Sequence, residues 1–219
     1  MKADLHVHSV YSRDAISKPQ SILAAAADRG IGIIAITDHD TAEGWNPVLQ
    51  AAKRYPVQIV LGQEIKVFKG GEVVGELLGL FLKTPVASGA VHGVMAEIRR
   101  QNGLVSIAHP FCERRGEFRA FDDVGDWNEI AIEALNGRCY KYRDNEMAQA
   151  LAGTLNAPIT AGSDAHTPFE IGNAFLEFDG KTVDDLKRAI LHRQVLTGGR
   201  SSSALFSFIS GFGRLGVAV

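Results

Sequence analysis

The sequence predicts an α/β fold built on a parallel sheet, and two observations predict it. Short runs of apolar, β-branched residues alternate with longer segments of helical periodicity, and no linker interrupts them. The chain also has 219 residues, 46% hydrophobic and 22% charged, which suits one domain able to bury its own core without disulfides.

The elements follow in order. Leu5-His6-Val7 opens the chain as a strand. Ser17-Lys18-Pro19-Gln20 carries a Ser-x-x-Gln capping pattern and an early proline, so a helix should start there and stop at Gly30. Residues 31–36 read as a buried parallel strand, bounded by glycine before and a polar cluster after. A helix over 46–55 leads to a strand at 57–61. Residues 73–82 read as a hairpin strand turning at Gly70-Gly71. A helix over 91–102 stops at Gly103 and leads to a strand at 104–108. Residues 130–135 form a further strand. A helix over 145–156 precedes another strand at 157–161, and a last helix over 183–192 starts behind Thr182.

The ionisable residues fall into one structural slot. His6 and His8 flank Val7 in a strand, so both imidazoles share a face. Asp38-His39-Asp40 follows the second strand and Glu64 the third. His109 follows Ala108, and Asp164 and His166 follow Ala161-Gly162-Ser163. Each cluster alone has an ordinary reading as a helix cap, a turn or a solvated carboxylate. Together they lie at the C-terminal ends of strands, where parallel sheets build their sites. Five of the seven histidines occupy these slots, whereas His92 and His192 fall in helical patterns. Imidazole with carboxylate selects zinc, manganese or iron(II), and there are more donors than one ion can use. Such a cluster can bind phosphoryl oxygens and activate water. No Ser-His-Asp or Cys-His arrangement is evident.

The motifs Asp4-Leu5-His6-Val7-His8-Ser9, Thr37-Asp38-His39-Asp40-Thr41, Gly62-Gln63-Glu64, Ala108-His109-Pro110 and Gly162-Ser163-Asp164-Ala165-His166 occur in the order found in the polymerase and histidinol phosphatase (PHP) family. The chain resembles that family from about residue 4 to 173. The resemblance implies a distorted (β/α)7 barrel over residues 1–200, with two or three divalent ions (Mn, Zn or Fe) at the C-terminal ends of the strands. Residues 201–219 would form a tail without assigned role. His6, His8, Glu64 and Asp164 are implied as ligands of one ion. Glu64 would bridge to a second, shared with His109, and Asp14, His39 and His166 would hold a third. A hydroxide bridging the ions would be the nucleophile. Asp38 and Asp40 would orient ligands or relay protons, and Asp4 would support them more weakly. Many relatives have histidine where Glu76 stands here. Glu76 is therefore either a carboxylate ligand in its place or the mark of a weak second site.

Phosphate needs cations besides metals. Arg138, at the end of the strand carrying Glu133, is the first candidate for the substrate anion and Arg13 the second. Arg114 and Arg115 read equally well as solvated charges. These features predict a metal-dependent phosphoesterase acting on a small phosphorylated metabolite or nucleotide. Histidinol phosphate is the alternative substrate, and a catalytically weak metal-binding module the non-enzyme alternative. A net charge of −2 and 8% aromatic residues disfavour nucleic acid and anionic membrane. Without a leader or a bilayer-length apolar run, the expectation is a cytoplasmic protein with Cys112 and Cys139 as reduced thiols. No sequence feature assigns an oligomeric state.

Overall fold

The structure, a computed structural model, describes residues 1–200. The expected tail at 201–219 lies outside the described residues. Ten strands and five helices follow in the order β1 (Lys2–Val7), α1 (Pro19–Asp28), β2 (Ile33–Ile36), α2 (Trp45–Ala52), β3 (Gln58–Lys69), β4 (Glu72–Leu80), β5 (Gly89–Ala90), α3 (Val91–Arg100), β6 (Leu104–Ile107), β7 (Ile130–Asn136), α4 (Tyr142–Leu155), β8 (Ile159–Gly162), β9 (Ala174–Phe178), α5 (Val183–Leu191) and β10 (Val195–Gly199).

Seven strands make a near-closed ring, β1-β2-β3-β4-β6-β7-β8. All neighbours run parallel except around β4, which is antiparallel to both β3 and β6. The ring closes where His8 N donates to Ala165 O at 2.9 Å and Val7 bridges Ala165 in parallel. Asp4 stitches this seam, accepting from the backbone N and hydroxyl of Ser163 and from Gly172 N, at 2.6 to 2.8 Å. Gly162 permits the close approach, because a Cβ there would collide with His6.

The barrel is distorted in two ways. β3 and β4 form a hairpin through Gly70-Gly71, both at positive φ, so no helix separates them. Two short 3-10 turns, Glu113–Arg115 and Phe121–Asp123, stand where a helix between β6 and β7 would be. Neither β9 nor β10 was expected from the sequence. They form an antiparallel pair appended to β1.

Alternate strand residues go to different cores. Ile33 and Ala35 join Leu5, Val60, Leu78, Leu80, Leu104, Ala131 and Ala161 inside the ring, closed below by Leu186 and Ile190 of α5. Ile34 and Ile36 instead meet Ile22, Leu23 and Val48 of α1 and α2 outside it. This two-sided burial explains the unbroken apolar runs.

The helix starts differ from expectation in two places, α4 beginning at Tyr142 rather than near residue 145 and α1 in its cap. Thr182 forms a full capping box with Asp185 at the head of α5. The Ser17 box does not form. Pro19 takes the first helical position, which puts the cap on Lys18 and leaves Ser17 one residue early.

Candidate metal centre

Strand parity carries acidic side chains into the ring. Glu64 shares a face with Val60, Glu76 with Leu78, and Glu133 with Ala131, and each sits above those apolar neighbours. β4 runs opposite to the rest, so its early residue Glu76 reaches the same end as the late residues of the other strands. Loops complete the set: Asp14 after β1, His39 after β2, His109 after β6, and Asp164 and His166 after β8.

These side chains converge around Glu64. Its Oε1 lies 2.8 Å from His109 Nε2 and 3.4 Å from His6 Nε2. Its Oε2 lies 3.3 Å from His8 Nε2 and 2.9 Å from His39 Nδ1. The Nε2 atoms of His6 and His8 face each other at 3.1 Å, and Asp164 Oδ1 is 3.4 Å from His8 Nε2. Asp14 reaches His39 and His166 at 3.6 and 3.4 Å. Glu76 Oε2 is 3.6 Å from His109 Nε2 and its Oε1 3.9 Å from His39 Nδ1. The expected donors thus meet in one cluster, Glu76 included.

The donor set fits divalent ions. Metal–ligand bonds of about 2.0–2.2 Å place neighbouring donors about 3–3.5 Å apart, which matches these spacings. Several buried donors also have no hydrogen-bond partner: Glu64 Oε2, His39 Nδ1, His166 Nε2 and Asp14 Oδ1. His39 Nδ1 and Glu64 Oε2 are close yet misaligned for a hydrogen bond, as two ligands of a common ion would be. Three sets of donors, His6–His8–Asp164, His6–Glu64–His109 and His8–His39–His166, can each hold an ion, and His39–Glu64–Glu76 makes a fourth grouping.

Charge in the cluster is finely opposed. Burial works against the His109 imidazolium, yet the hydrogen bond and charge of Glu64 hold its pKa up to about 9. Burial and the neighbouring Glu64 carboxylate push Glu76 up to about 7. Burial would raise Asp164, but Arg115 and His6 keep it well below the usual carboxylate range. Arg115 grips Asp164 with Nη2 and Nε at 2.7 and 3.0 Å. Three site residues, Asp40, His109 and Asp164, have left-handed backbone (φ 53°, 28° and 53°), strain of the kind that collects at functional sites.

Behind the donors stands a supporting layer. Glu133, buried in the middle of β7, accepts from His6 Nδ1 at 2.9 Å and from His109 N at 2.7 Å. That bond fixes the His6 tautomer and turns Nε2 toward the cluster. The sequence reading placed Glu133 on a strand but gave it no role. Its one signal was a carboxylate inside the apolar run Ile130-Ala131-Ile132-Glu133-Ala134-Leu135. Asp38 is fully committed, to Ser9 N and Oγ and to Ser12 Oγ, and Ser12 Oγ in turn lies 3.0 Å from His8 Nδ1. Asp38 therefore steers His8 from within the protein.

A cavity of about 710 Å³ opens over the cluster. His39, Asp14, Glu76 and Asp40 line it together with Arg13, Lys66, Arg114 and Arg115. Asp40 accepts from Lys66 Nζ at 3.1 Å. Arg138 does not line the cavity. It is 3% exposed, with Nε 3.3 Å from Glu170 Oε1.

Comparison with known proteins agrees with this geometry. A family model described as PHP domain matches residues 4–156, and one described as PHP-associated matches residues 142–195. Protein MJ1587 of Methanocaldococcus jannaschii is 35% identical over 136 residues, 56% of this chain and 76% of that protein. A phosphoribosyl 1,2-cyclic phosphate 1,2-diphosphodiesterase of Eggerthella lenta is 36% identical over 107 residues, 48% of this chain and 40% of that protein. Among solved structures, a two-domain protein of Bacteroides vulgatus containing a predicted PHP-like metal-dependent phosphoesterase superposes with a TM-score of 0.76. It shares 18% identity, and the match covers 91% of this chain and 65% of that one.

Proposed function

This chain belongs to the PHP family of metal-dependent phosphoesterases, and from that premise we propose that it hydrolyses phosphoester bonds of a small metabolite or nucleotide. The observation that carries the reading is the buried His/Asp/Glu cluster, with orphaned donors, beneath a cavity lined by four cationic side chains. His6, His8, Glu64 and Asp164 would hold one ion. Glu64, His109 and Glu76 would hold a second, and Asp14, His39 and His166 a third. When bound, such ions would withdraw charge from phosphoryl oxygens and lower the pKa of water at the site.

The chain's own residues do the rest. Arg13 and Arg114, at the cavity wall, receive non-bridging oxygens of the substrate. Lys66 holds Asp40 at the same wall, where its carboxylate can take or give a proton at a substrate oxygen. Asp38, through Ser12, and Glu133 hold His8 and His6 in position rather than touching substrate. Arg115 is engaged with Asp164 and Lys66 with Asp40, which leaves Arg13 and Arg114 for the substrate anion. The part-length likeness to a cyclic phosphate diphosphodiesterase makes phosphodiesters a second class to assay.

The test is phosphate release by protein stripped of metal and reloaded with manganese, zinc or iron(II). The panel holds a phosphomonoester, a phosphodiester, histidinol phosphate and nucleoside bisphosphates. Metal-dependent release that Asp164→Ala abolishes supports the proposal. No release from protein shown to retain its ions would overturn it in favour of a metal-binding module.

A further inference from the structure

We propose that Cys112 and Cys139 are a redox-active pair that closes to a disulfide under a small peroxide oxidant, loosening the loop that carries His109 and Arg115. The two cysteines are 27 positions apart in the sequence, yet Cys112 lies three residues beyond His109 and Cys139 three beyond Asn136, whose Nδ2 donates to Glu133 Oε2 at 3.1 Å. Their Sγ atoms and a carboxylate oxygen of Asp144 all lie within 4.8 Å of one another. Each thiol therefore points at the other across the gap between adjacent loops. Both are buried. An exposed ion pair between Glu113 and Lys141, at 2.6 Å, straps the same two loops just outside them.

We take Cys112, whose backbone is tied to His109 and Arg115, as the attacking sulfur. Its thiolate attacks one peroxide oxygen, the O–O bond breaks, and the other oxygen leaves as water once protonated. Cys139 sulfur then attacks the resulting sulfenic acid, the S–O bond breaks, and a second water leaves. Two thiols have lost two electrons and two protons, and one peroxide has become two waters.

Closure has a path to the centre. Cys112 N donates to His109 O at 3.0 Å, and Cys112 O accepts from Arg115 N at 2.9 Å. These consecutive turns tie the sulfur's backbone to a candidate ligand on one side and to the clamp on Asp164 on the other. Drawing the sulfurs to bonding distance, about 2.05 Å, must move this backbone or that of Cys139. The thiol pairing stands on the geometry alone. Its effect on metal affinity rests on the metal reading proposed above.

The full chain is treated with hydrogen peroxide and digested without reductant, and peptides are identified by mass. The proposal expects one linked peptide joining Cys112 to Cys139, lighter by two hydrogens than its parts and reversed by dithiothreitol. In Cys139→Ser, dimedone should trap a sulfenic acid on Cys112. Manganese titration should show affinity about tenfold weaker in the oxidised protein, restored on reduction and unchanged by peroxide in Cys139→Ser. Two unlinked thiols, or separate sulfinic acids, would overturn the pairing, as would a zinc ion found shielding both sulfurs. A linked peptide with unchanged manganese affinity would overturn the coupling. If the reduced protein takes up no metal at all, the metal reading fails, and the linked peptide alone decides the pair.

Discussion

Replacing Glu133 by glutamine separates positioning from ligation. The buried carboxylate uses Oε1 for His6 Nδ1 and Oε2 for His109 N and Asn136 Nδ2, at 2.9, 2.7 and 3.1 Å. Both oxygens accept, so every arrangement of a carboxamide turns an NH2 group toward a donor. At least one buried donor is left unpaired, each costing about 1–3 kcal/mol. If the amide oxygen keeps His109 N, then His6 loses the partner that fixes its tautomer, and its Nε2 lone pair is no longer committed to the cluster. Loss of such an outer partner typically weakens metal binding by about 10- to 100-fold, or roughly 1.4–2.7 kcal/mol. The assay is calorimetric manganese titration of the metal-free variant, with circular dichroism confirming the fold. A folded Glu133→Gln protein that binds manganese within twofold of the wild type would refute the reasoning.

The other predictions concern charge, packing and the unusual donor. In metal-free protein, His109 is raised from 6.5 to about 9 and Glu76 from 4.5 to about 7. Both folded values lie above the unfolded ones, so each contributes stability that is complete below its unfolded pKa and lost as pH rises through the folded one. Melting temperature in chelator should therefore fall across pH 4.5–9, with His109 alone accounting for about 3 kcal/mol between 6.5 and 9. Metal-loaded protein should show a flatter profile, and parallel profiles would contradict the charge assignment. Glu76→Gln should lower metal stoichiometry measured by elemental analysis if Glu76 ligates, while Glu76→His should keep it. Gly162→Ala forces a methyl into His6 across the seam and should lower stability by about 2–4 kcal/mol in denaturant titration. Arg13→Ala should raise KM several-fold with little change in metal affinity, whereas an unchanged KM would remove Arg13 from substrate binding.

The sequence revealed the donors because their logic is local. A residue's place at the end of an apolar run, and the two-residue period of a strand, decide which face His6, His8 and Glu64 share. Glu76 came to notice only through the family resemblance, as glutamate where many relatives have histidine, and its value depends on β4 running backwards. Glu133 was not legible as a participant, since its partners lie 127 and 24 residues away and no periodicity announces them. The β9–β10 pair escaped for a similar reason. Its strands are joined through α5 rather than a tight turn, so no turn chemistry marks them. Cys112 and Cys139 carry no spacing signal, and only adjacent loops bring them together. Arg138 was chosen for its place after β7, but proximity to a strand end does not say whether a side chain rises into the cavity or packs beneath it against Glu170.

The seam between β1 and β8 also sets an order of events in folding. Asp4 and Ser163 are separated by 159 residues, so closing the ring means closing a loop of that length. That loop-closure entropy is lost before the seam's hydrogen bonds can offset it. The β3–β4 hairpin and the β1–α1–β2 unit have short connections and can form early, while the seam forms late. His6 and His8 arrive on one side of it, and Asp164 and His166 on the other. A chain stalled before closure holds its donors in two separated halves, and productive ion capture becomes a report that the last step of folding is complete.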